Sequence, residues 1–214
     1  MPDKARVLDI GAYHGTNGFY LAERQHSVDS VEVNEDYVKD GEIIQEFIVR
    51  HLGSFAINNH FITANISRYQ PSNVYDAAIA TRVHQNMLDR QEGYDLLQKM
   101  GHAVKPDGLN VVWAYIAEEE TAENLGLTYL APGELEDFYQ RQDWKIVSYR
   151  ERMEPVRNMY NPRHRRWEAR VSSSAELIAR KPAKASLRET YLSQAAAIER
   201  INPEAARQLR GQAG

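Results

Sequence analysis

Residues 6–18 read RVLDIGAYHGTNG, and this stretch decides the fold of the chain. An apolar run ends in the acid Asp9, a glycine-containing turn follows, and a helical pattern begins at Gly15. Glycine lets the backbone approach a ligand closely, and the first turn of a helix presents free N–H groups. A second strand is predicted at 27–33, with Glu32 near its carboxyl end, where an acid is well placed to bind a ribose. The stretch therefore predicts a pocket for an adenosine-containing cofactor.

The composition is that of an ordinary globular protein. The 214 residues, 43% of them hydrophobic, suffice for one domain with a sizeable core. The formal net charge of -4 argues against a nucleic-acid or membrane-surface binder, which is usually basic. There is no cysteine, which excludes disulfides, thiolate zinc sites and cysteine nucleophiles, and no metal ion is expected. No apolar run reaches membrane-spanning length and no signal peptide precedes the first strand, so we expect a soluble, cytoplasmic protein.

Strand and helix patterns alternate over the first 115 residues. Strands are predicted at 6–10, 28–33, 60–63, 75–80 and 109–115, and helices at 15–25, 35–52 and 90–102. A strong turn, KPDG, occupies 105–108. The helix at 35–52 carries an apolar stripe made of Val38, Ile43, Ile44, Phe47, Ile48 and Leu52. The alternation implies parallel strands with helices on both faces of the sheet.

The later part of the chain has a different pattern. A helix is predicted at 133–140, followed by two long strands at 144–156 and 167–179 that a basic connection, 157–166, joins. Such a hairpin would add antiparallel strands to the edge of the sheet. Residues 183–214 are predicted to form a helical tail, which either packs on the domain or frays, or else acts as a lid or as a contact for a protein partner or a second copy.

Two cofactor classes compete for the opening turn. Nicotinamide and flavin enzymes use G-x-G-x-x-G, because the pyrophosphate sits against the helix, and here Tyr13 would occupy the first glycine position and hinder the turn. The class that binds S-adenosylmethionine has no pyrophosphate to hold. It uses an acid followed by glycines at alternating positions. Asp9, Gly11 and Gly15 match this pattern, and Tyr13 replaces the middle glycine.

Several motifs resemble those of the class I S-adenosylmethionine-dependent methyltransferases, in the same order along the chain. They are the segment 7–15, Glu32 after the second strand, Asn65 after the third strand, YDAAI at 75–79, and KPDG at 105–108 followed by the fifth strand. Within that superfamily the chain is most similar to the tellurite-resistance (TehB-type) group. That likeness rests on GTNGFYLA at 15–22, KPDGLN at 105–110 and PGEL at 132–135.

The resemblance implies an α/β fold over residues 1–182, a Rossmann-like three-layer sandwich whose seven-stranded, mostly parallel sheet ends in an antiparallel hairpin. It implies S-adenosylmethionine as the cofactor. Asp9, Gly11, Gly15 and Asn17 would shape the methionine pocket, Glu32 would bind the ribose and Asn65 the adenine. The full predicted set of cofactor contacts is Asp9, Gly11, Ala12, Tyr13, Gly15, Asn17, Glu32, Val33, Asn65, Ile66 and Thr81.

Residues for chemistry are expected in the loops after the strands, because methyl transfer mainly requires two reactants held in near-attack geometry. His84 and Tyr13 are the predicted catalytic residues, and His84 is alternatively a hydrogen-bonded loop histidine. The predicted substrate-binding residues are His14, Arg82, Arg157, Arg163 and His164. Arginine binds an anion through paired donors, although the cluster in 157–166 is alternatively a solvated turn.

The sequence predicts a methyltransferase that acts on a small-molecule acceptor, an anion being favoured by the arginines. Three alternatives stay open at this point. The basic connection suits an RNA methyltransferase, although the net acidic charge counts against nucleic acid. An enzyme can also use S-adenosylmethionine without methyl transfer, as a cyclase or lyase. Finally, the chain could be a non-catalytic scaffold that binds the cofactor and docks a partner through its tail helix.

Overall fold

The computed structural model describes residues 1–52, 58–71, 74–118, 129–154, 157–161, 166–170 and 173–183, and Met1–Pro182 form one compact unit. The strands are β1 (Arg6–Ile10), β2 (Ser27–Glu32), β3 (Asn59–Thr63), β4 (Tyr75–Thr81), β5 (Val104–Tyr115), β6 (Lys145–Arg152), β7 (Arg157–Asn161), β8 (Arg166–Arg170) and β9 (Ser174–Arg180). The helices are α1 (Thr16–Glu23), α2 (Glu35–His51), α3 (Arg90–Ala103) and α4 (Glu134–Gln140). None of these helices is both long and apolar enough to cross a membrane.

Seven strands form one sheet in the order β3-β2-β1-β4-β5-β9-β6. The first five are mutually parallel, whereas β9 runs antiparallel to both β5 and β6. The predicted mostly parallel sheet with antiparallel C-terminal strands is confirmed. The chain moves outward from β1 to β3 and then returns to place β4 on the other side of β1. The carboxyl ends of β1 and β4 therefore flank a topological switch point, where open α/β sheets bind ligands.

Helices cover both faces of the sheet, which gives the three layers expected. On one face, Leu97 and Met100 of α3 and Leu135 of α4 pack against strand residues such as Leu8 and Ile10. On the other face, Leu21 of α1 packs with a smaller group, Ala5, Val7, Val28 and Ala77. Neighbouring residues of β1 thus alternate between the two cores, as the two-residue period of a strand requires.

The apolar stripe that the sequence predicts for α2 is largely exposed in the structure. Only Val38 and Gly41 are buried in this helix, whereas the exposed fractions of Ile43, Phe47 and Leu52 are 65%, 59% and 68%. The reason is the position of α2 at the edge of the sheet, since β3 is the outermost of the described strands on this side and none of them underlies the rest of the helix.

The two long strands predicted at 144–156 and 167–179 are wrong in their extent. The structure ends β6 at Arg152 and begins β9 at Ser174, and the residues between them contribute β7 and β8 to a separate two-stranded sheet. Arg157 therefore begins a strand rather than a loop. Ser173 marks the return to the main sheet, since its hydroxyl accepts a hydrogen bond from the Glu154 N–H at 2.7 Å.

The turn predicted at 105–108 is an irregularity within β5. The pairing of β4 with β5 shifts register between Tyr75 and Ala77, and Asp107 has a φ of 63°. The other predicted ends of helices and strands agree with the structure to within two residues. Arg163, His164 and almost all of the predicted tail, from residue 184 onward, lie outside the described residues.

Candidate functional site

A cavity of about 790 Å³ opens at the carboxyl ends of β1, β2 and β4. This volume is in the range that small-molecule sites occupy. Ten of the predicted site residues line the cavity: Gly11, Ala12, Tyr13, Asn17, Glu32, Val33, Asn65, Ile66, Thr81 and Arg82. The sequence did not identify the remaining lining residues, which are Thr16, Val31, Tyr37, Ala64, Val83, Asn86, Met87, Leu88 and Glu92. The structure therefore brings together predicted residues from four separate segments.

The turn after β1 takes a left-handed conformation at every second residue. The φ angles are 66° at Gly11, 54° at Tyr13 and 80° at Gly15. The N–H groups of Gly11 and Ala12 both donate to the Val31 carbonyl, at 2.8 and 3.1 Å, and so tie the turn to β2. A Cβ at Gly11 would come within 2.5 Å of Val83, so a side chain is excluded there by space as well as by conformation.

Asp9 supplies a buried carboxyl group just below the turn. Its exposure is 0%, and desolvation raises its pKa to about 7. The Asn17 amide donates to Asp9 Oδ1 at 3.4 Å and to Thr81 Oγ1 at 3.3 Å, so it bridges β1 to β4. Asp9 Oδ2 makes no hydrogen bond within the described residues. Asp9 and Gly15, both predicted cofactor contacts, are not among the residues that line the cavity. A buried, unsatisfied acceptor such as Asp9 Oδ2 is completed by a cationic donor.

Glu32 is held by main-chain donors at the end of β2. Its Oε1 accepts from the N–H groups of Val33 and Asn34 at 2.9 and 3.0 Å, and its Oε2 accepts from the Tyr13 N–H at 3.0 Å. Three bonds fix the orientation of the carboxylate on the cavity wall. They still leave acceptor capacity on Oε2 that a ribose hydroxyl could use.

The ring of Tyr13 packs against the first turn of α2. The ring stacks on His14 with centroids 3.9 Å apart and meets Tyr37 at 4.2 Å. Its neighbour Tyr37 raises the pKa of the Tyr13 hydroxyl. Tyr13 is 52% exposed and forms part of the cavity wall, whereas His14 is absent from the wall and lies 3.7 Å from Asp40 through its Nε2.

Arg82 occupies the opposite side of the opening, after β4. Its backbone is left-handed, with a φ of 59°, and its N–H donates to the Trp113 carbonyl at 2.6 Å. The guanidinium lies over the Trp113 ring at 3.9 Å from the centroid. No carboxylate among the described residues is within ion-pair distance of it. An exposed, stacked arginine of this kind can bind an anion with its outward donors.

His84 does not reach the cavity, which corrects its prediction as a catalytic base. It begins a short 3-10 turn, His84–Asn86, and is 2% exposed. The absence of a side chain at Gly93 of α3 makes the room for its imidazole. The 3-10 turn directs His84 into the protein interior and presents Asn86 and Met87 to the cavity instead. Of the predicted basic residues in the late region, Arg157 lies in β7.

The chain resembles known proteins in sequence and in fold. The family described as "Tellurite resistance protein TehB" matches residues 2–165. A curated relative from Haemophilus influenzae, "Probable S-adenosyl-L-methionine-dependent methyltransferase TehB", is 24% identical over 149 residues, which are 69% of this chain and 49% of that protein. The chain thus spans about half the length of the curated relatives it matches.

Solved structures share the fold at low sequence identity. A Methanosarcina mazei structure described as a SAM-dependent methyltransferase has a TM-score of 0.65 and 13% identity, and the match covers 86% of this chain and 95% of that one. The [4+2]-cyclase SpnF has a TM-score of 0.62 and 16% identity, over 84% of this chain and 75% of that one. The fold is therefore common to proteins with different reactions, and function has to be argued from the site.

Proposed function

The chain belongs to the TehB family of tellurite resistance proteins, and from this membership and the cavity we propose that it transfers the methyl group of S-adenosylmethionine to a small anionic acceptor. The observation that carries the proposal is the pairing of two buried acids at one turn. Asp9 presents an unsatisfied oxygen on one side of the turn, and Glu32 is fixed by the Tyr13 N–H on the other.

The residues present fit this cofactor. Asp9 Oδ2 suits the ammonium of the methionine part, Glu32 suits the ribose hydroxyls, and Asn65 and Ile66 stand where an adenine would be held. The left-handed turn at Gly11 leaves no side chain between the backbone and the ligand. When bound, S-adenosylmethionine supplies a methyl group that its sulfonium already activates for displacement. The protein then has to position the acceptor and exclude water.

The acceptor side of the cavity favours a nucleophile that arrives without a proton to lose. No histidine is among the lining residues in the described part of the chain, since His84 packs against Gly93 of α3. The lining carboxylate of Glu92 already accepts a hydrogen bond from the Leu88 N–H at 2.7 Å. A general base helps only when the nucleophile must be deprotonated. Arg82, anchored on Trp113, would hold a negatively charged acceptor at the opening. These features support a small oxyanion or a comparable anion over a neutral alcohol or amine.

Calorimetry with S-adenosylmethionine, followed by mass analysis of the products, tests the proposal. We expect binding in the micromolar range and, with an anionic acceptor such as tellurite or selenite, a methylated product beside S-adenosylhomocysteine. The variant R82Q should raise the KM for the anion and leave cofactor affinity unchanged. Folded protein that shows no binding at millimolar cofactor would refute the assignment. Cofactor that is cleaved without a methylated acceptor, or recovered intact beside a cyclised substrate, would point to the alternative lyase or cyclase reactions.

A further inference from the structure

Lys99, on the third turn of α3, contacts the loop that follows β3. Its ammonium donates to the Ile66 carbonyl at 3.2 Å and to the Ser67 carbonyl. Ile66 lies on the wall of the cavity, while Lys99 stands behind the loop, outside the set of lining residues. One cation thus binds the carbonyl of Ile66, a residue of the cavity wall, and the carbonyl of the residue that follows it.

The same two peptide units are bound from their other side by Asn65. A trans peptide directs its C=O and N–H groups in opposite directions. The peptide whose carbonyl belongs to Ile66 directs the Ser67 N–H to Asn65 Oδ1 at 2.9 Å. The next peptide directs the Arg68 N–H to the Asn65 carbonyl at 3.0 Å. Lys99 and Asn65 therefore fix both peptide planes between them.

This arrangement determines which end of the Asn65 amide is available to a ligand. A main-chain N–H can only donate, so the Asn65 atom that accepts from Ser67 is the oxygen Oδ1. The Ser67 hydroxyl donates to the same oxygen at 2.7 Å. The nitrogen Nδ2, a donor, is left for the cavity. A donor suits N1 of adenine, which accepts, and opposes N1 of hypoxanthine, which carries a hydrogen.

We propose that Lys99 is a positioning residue for the base-binding wall and that, through the Ile66 and Ser67 peptides and the Asn65 amide, it makes the site selective for adenine. This inference rests on the proposed function, because it takes the ligand to be an adenosine compound. The ammonium acts through the loop and does not touch the base. Without it the two peptides are held from the Asn65 side alone, so the bonds that orient the Asn65 amide are less restrained.

The variants K99M and K99R test this role, with K181M as a matched control. Lys181 also donates to two main-chain carbonyls of the α3 end, those of Gly101 and Val104, but it lies outside the cavity. The probes are S-adenosylhomocysteine and S-inosylhomocysteine, whose dissociation constants are measured by calorimetry, and thermal melts report folding. In K99M we expect the affinity for the adenosyl probe to fall about tenfold, the effect of one charge-assisted hydrogen bond. The affinity for the inosyl probe should change less than twofold, so that base selectivity is lost.

K99R retains a cationic donor and should recover most of the selectivity, while K181M should lower the melting temperature without altering the ratio of the two constants. A ratio of the two dissociation constants that is unchanged in K99M would overturn the proposal, whether or not both probes bind more weakly. Lys99 would then be a structural contact. If K99M does not fold, the same two constants are measured in K99Q, whose shorter neutral side chain cannot supply the charge, and a K99Q ratio equal to that of K181M contradicts the role. Wild-type protein that binds neither probe would instead refute the proposed function.

Discussion

Tyr13 combines backbone strain with a position on the cavity wall. A left-handed residue other than glycine, asparagine or aspartate costs about 1 kcal/mol, and such strain is commonly retained where a ligand is bound. The strain persists here because the Tyr13 N–H is bound to Glu32 and the ring is packed between His14 and Tyr37. Tyr13 therefore contributes more to the ligand site than to the stability of the fold.

We expect Y13G to weaken the binding of S-adenosylhomocysteine about tenfold, because one aromatic wall of the cavity is lost. The free energy of unfolding should change by less than about 1 kcal/mol, since relief of strain offsets the lost ring contacts. Calorimetry and urea denaturation measure the two quantities. Y13N, which tolerates the same backbone conformation without the ring, serves as the control and should bind as weakly as Y13G. Wild-type affinity in both variants would contradict a role for the ring.

Single residues were predictable where a backbone motif fixes them. Asp9, Gly11 and Glu32 lie at strand ends and at one tight turn, so their positions follow from the strand assignment alone. Lys99 and Tyr37 were missed because they approach the site from helices, and only the packing of those helices brings them there. His84 was misplaced for the same reason, since the sequence shows a loop histidine but not the direction in which the 3-10 turn sends it.

At the scale of elements, Glu134 connects the first turn of α4 to α3. Its carboxylate accepts from Arg90 at 2.5 Å, from the Tyr94 hydroxyl, and from the Ala131 N–H at 2.5 Å. Burial acts to raise the pKa of Glu134, but these hydrogen bonds outweigh it and hold the pKa below its ordinary value. A lowered pKa means that the stabilisation is present at neutral pH and is lost as the pH falls through the folded-state pKa.

We expect E134Q to lower the free energy of unfolding at pH 7 by about 1–2 kcal/mol, because the amide weakens the bonds from Arg90 and Tyr94. The difference from wild type should shrink as the pH falls below the ordinary range of a glutamate. Urea denaturation at pH 7 and at a pH below the ordinary pKa of a glutamate measures this difference in the free energy of unfolding. D137N is the matched control, since Asp137 is exposed in the same helical turn and its carboxylate, among the described residues, pairs with Arg141 one turn away at 3.4 Å. A loss in D137N as large as in E134Q would attribute the effect to the helix dipole.

The elements themselves were predictable in the parallel half and less so afterwards. Alternating strands and helices up to β5 follow from hydrophobic period and turn residues. The exposure of the apolar stripe of α2 could not be predicted. Hydrophobic periodicity shows that a helix has an apolar face, but not how far a sheet extends beneath it. The two long strands were predicted with the wrong extent because residues typical of strands continue where the chain leaves the main sheet and forms a second one.

For the whole molecule, the order of the strands places the cavity and also explains the burial of Asp9. β1 is central, with β2 and β4 as its neighbours and packed layers on both faces of the sheet, so every side chain of β1 after Arg6 is buried. Periodicity and motifs predicted a mostly parallel, seven-stranded sheet, but the order of the strands comes from the structure. The result is an ionisable group in the middle of the sheet whose charge the unliganded protein does not neutralise.

Stability should therefore depend on pH through Asp9. Desolvation raises its pKa from 3.8 to about 7, so protonated Asp9 favours folding at acid pH and this contribution is lost as the pH rises through 7. We expect D9N to be more stable than wild type at pH 8, by an amount that disappears near pH 4, and to bind S-adenosylmethionine at least tenfold more weakly because it lacks the negative charge. Urea denaturation across pH measures the stability effect, and calorimetry measures the binding effect.

D29N is the control for the D9N prediction. Asp29 is also buried but accepts hydrogen bonds from Arg6 at 2.8 Å and Tyr75 at 2.6 Å, so its loss should destabilise the protein at pH 8. A D9N protein less stable than wild type at pH 8 would show that the Asp9 charge is neutralised in the unliganded protein.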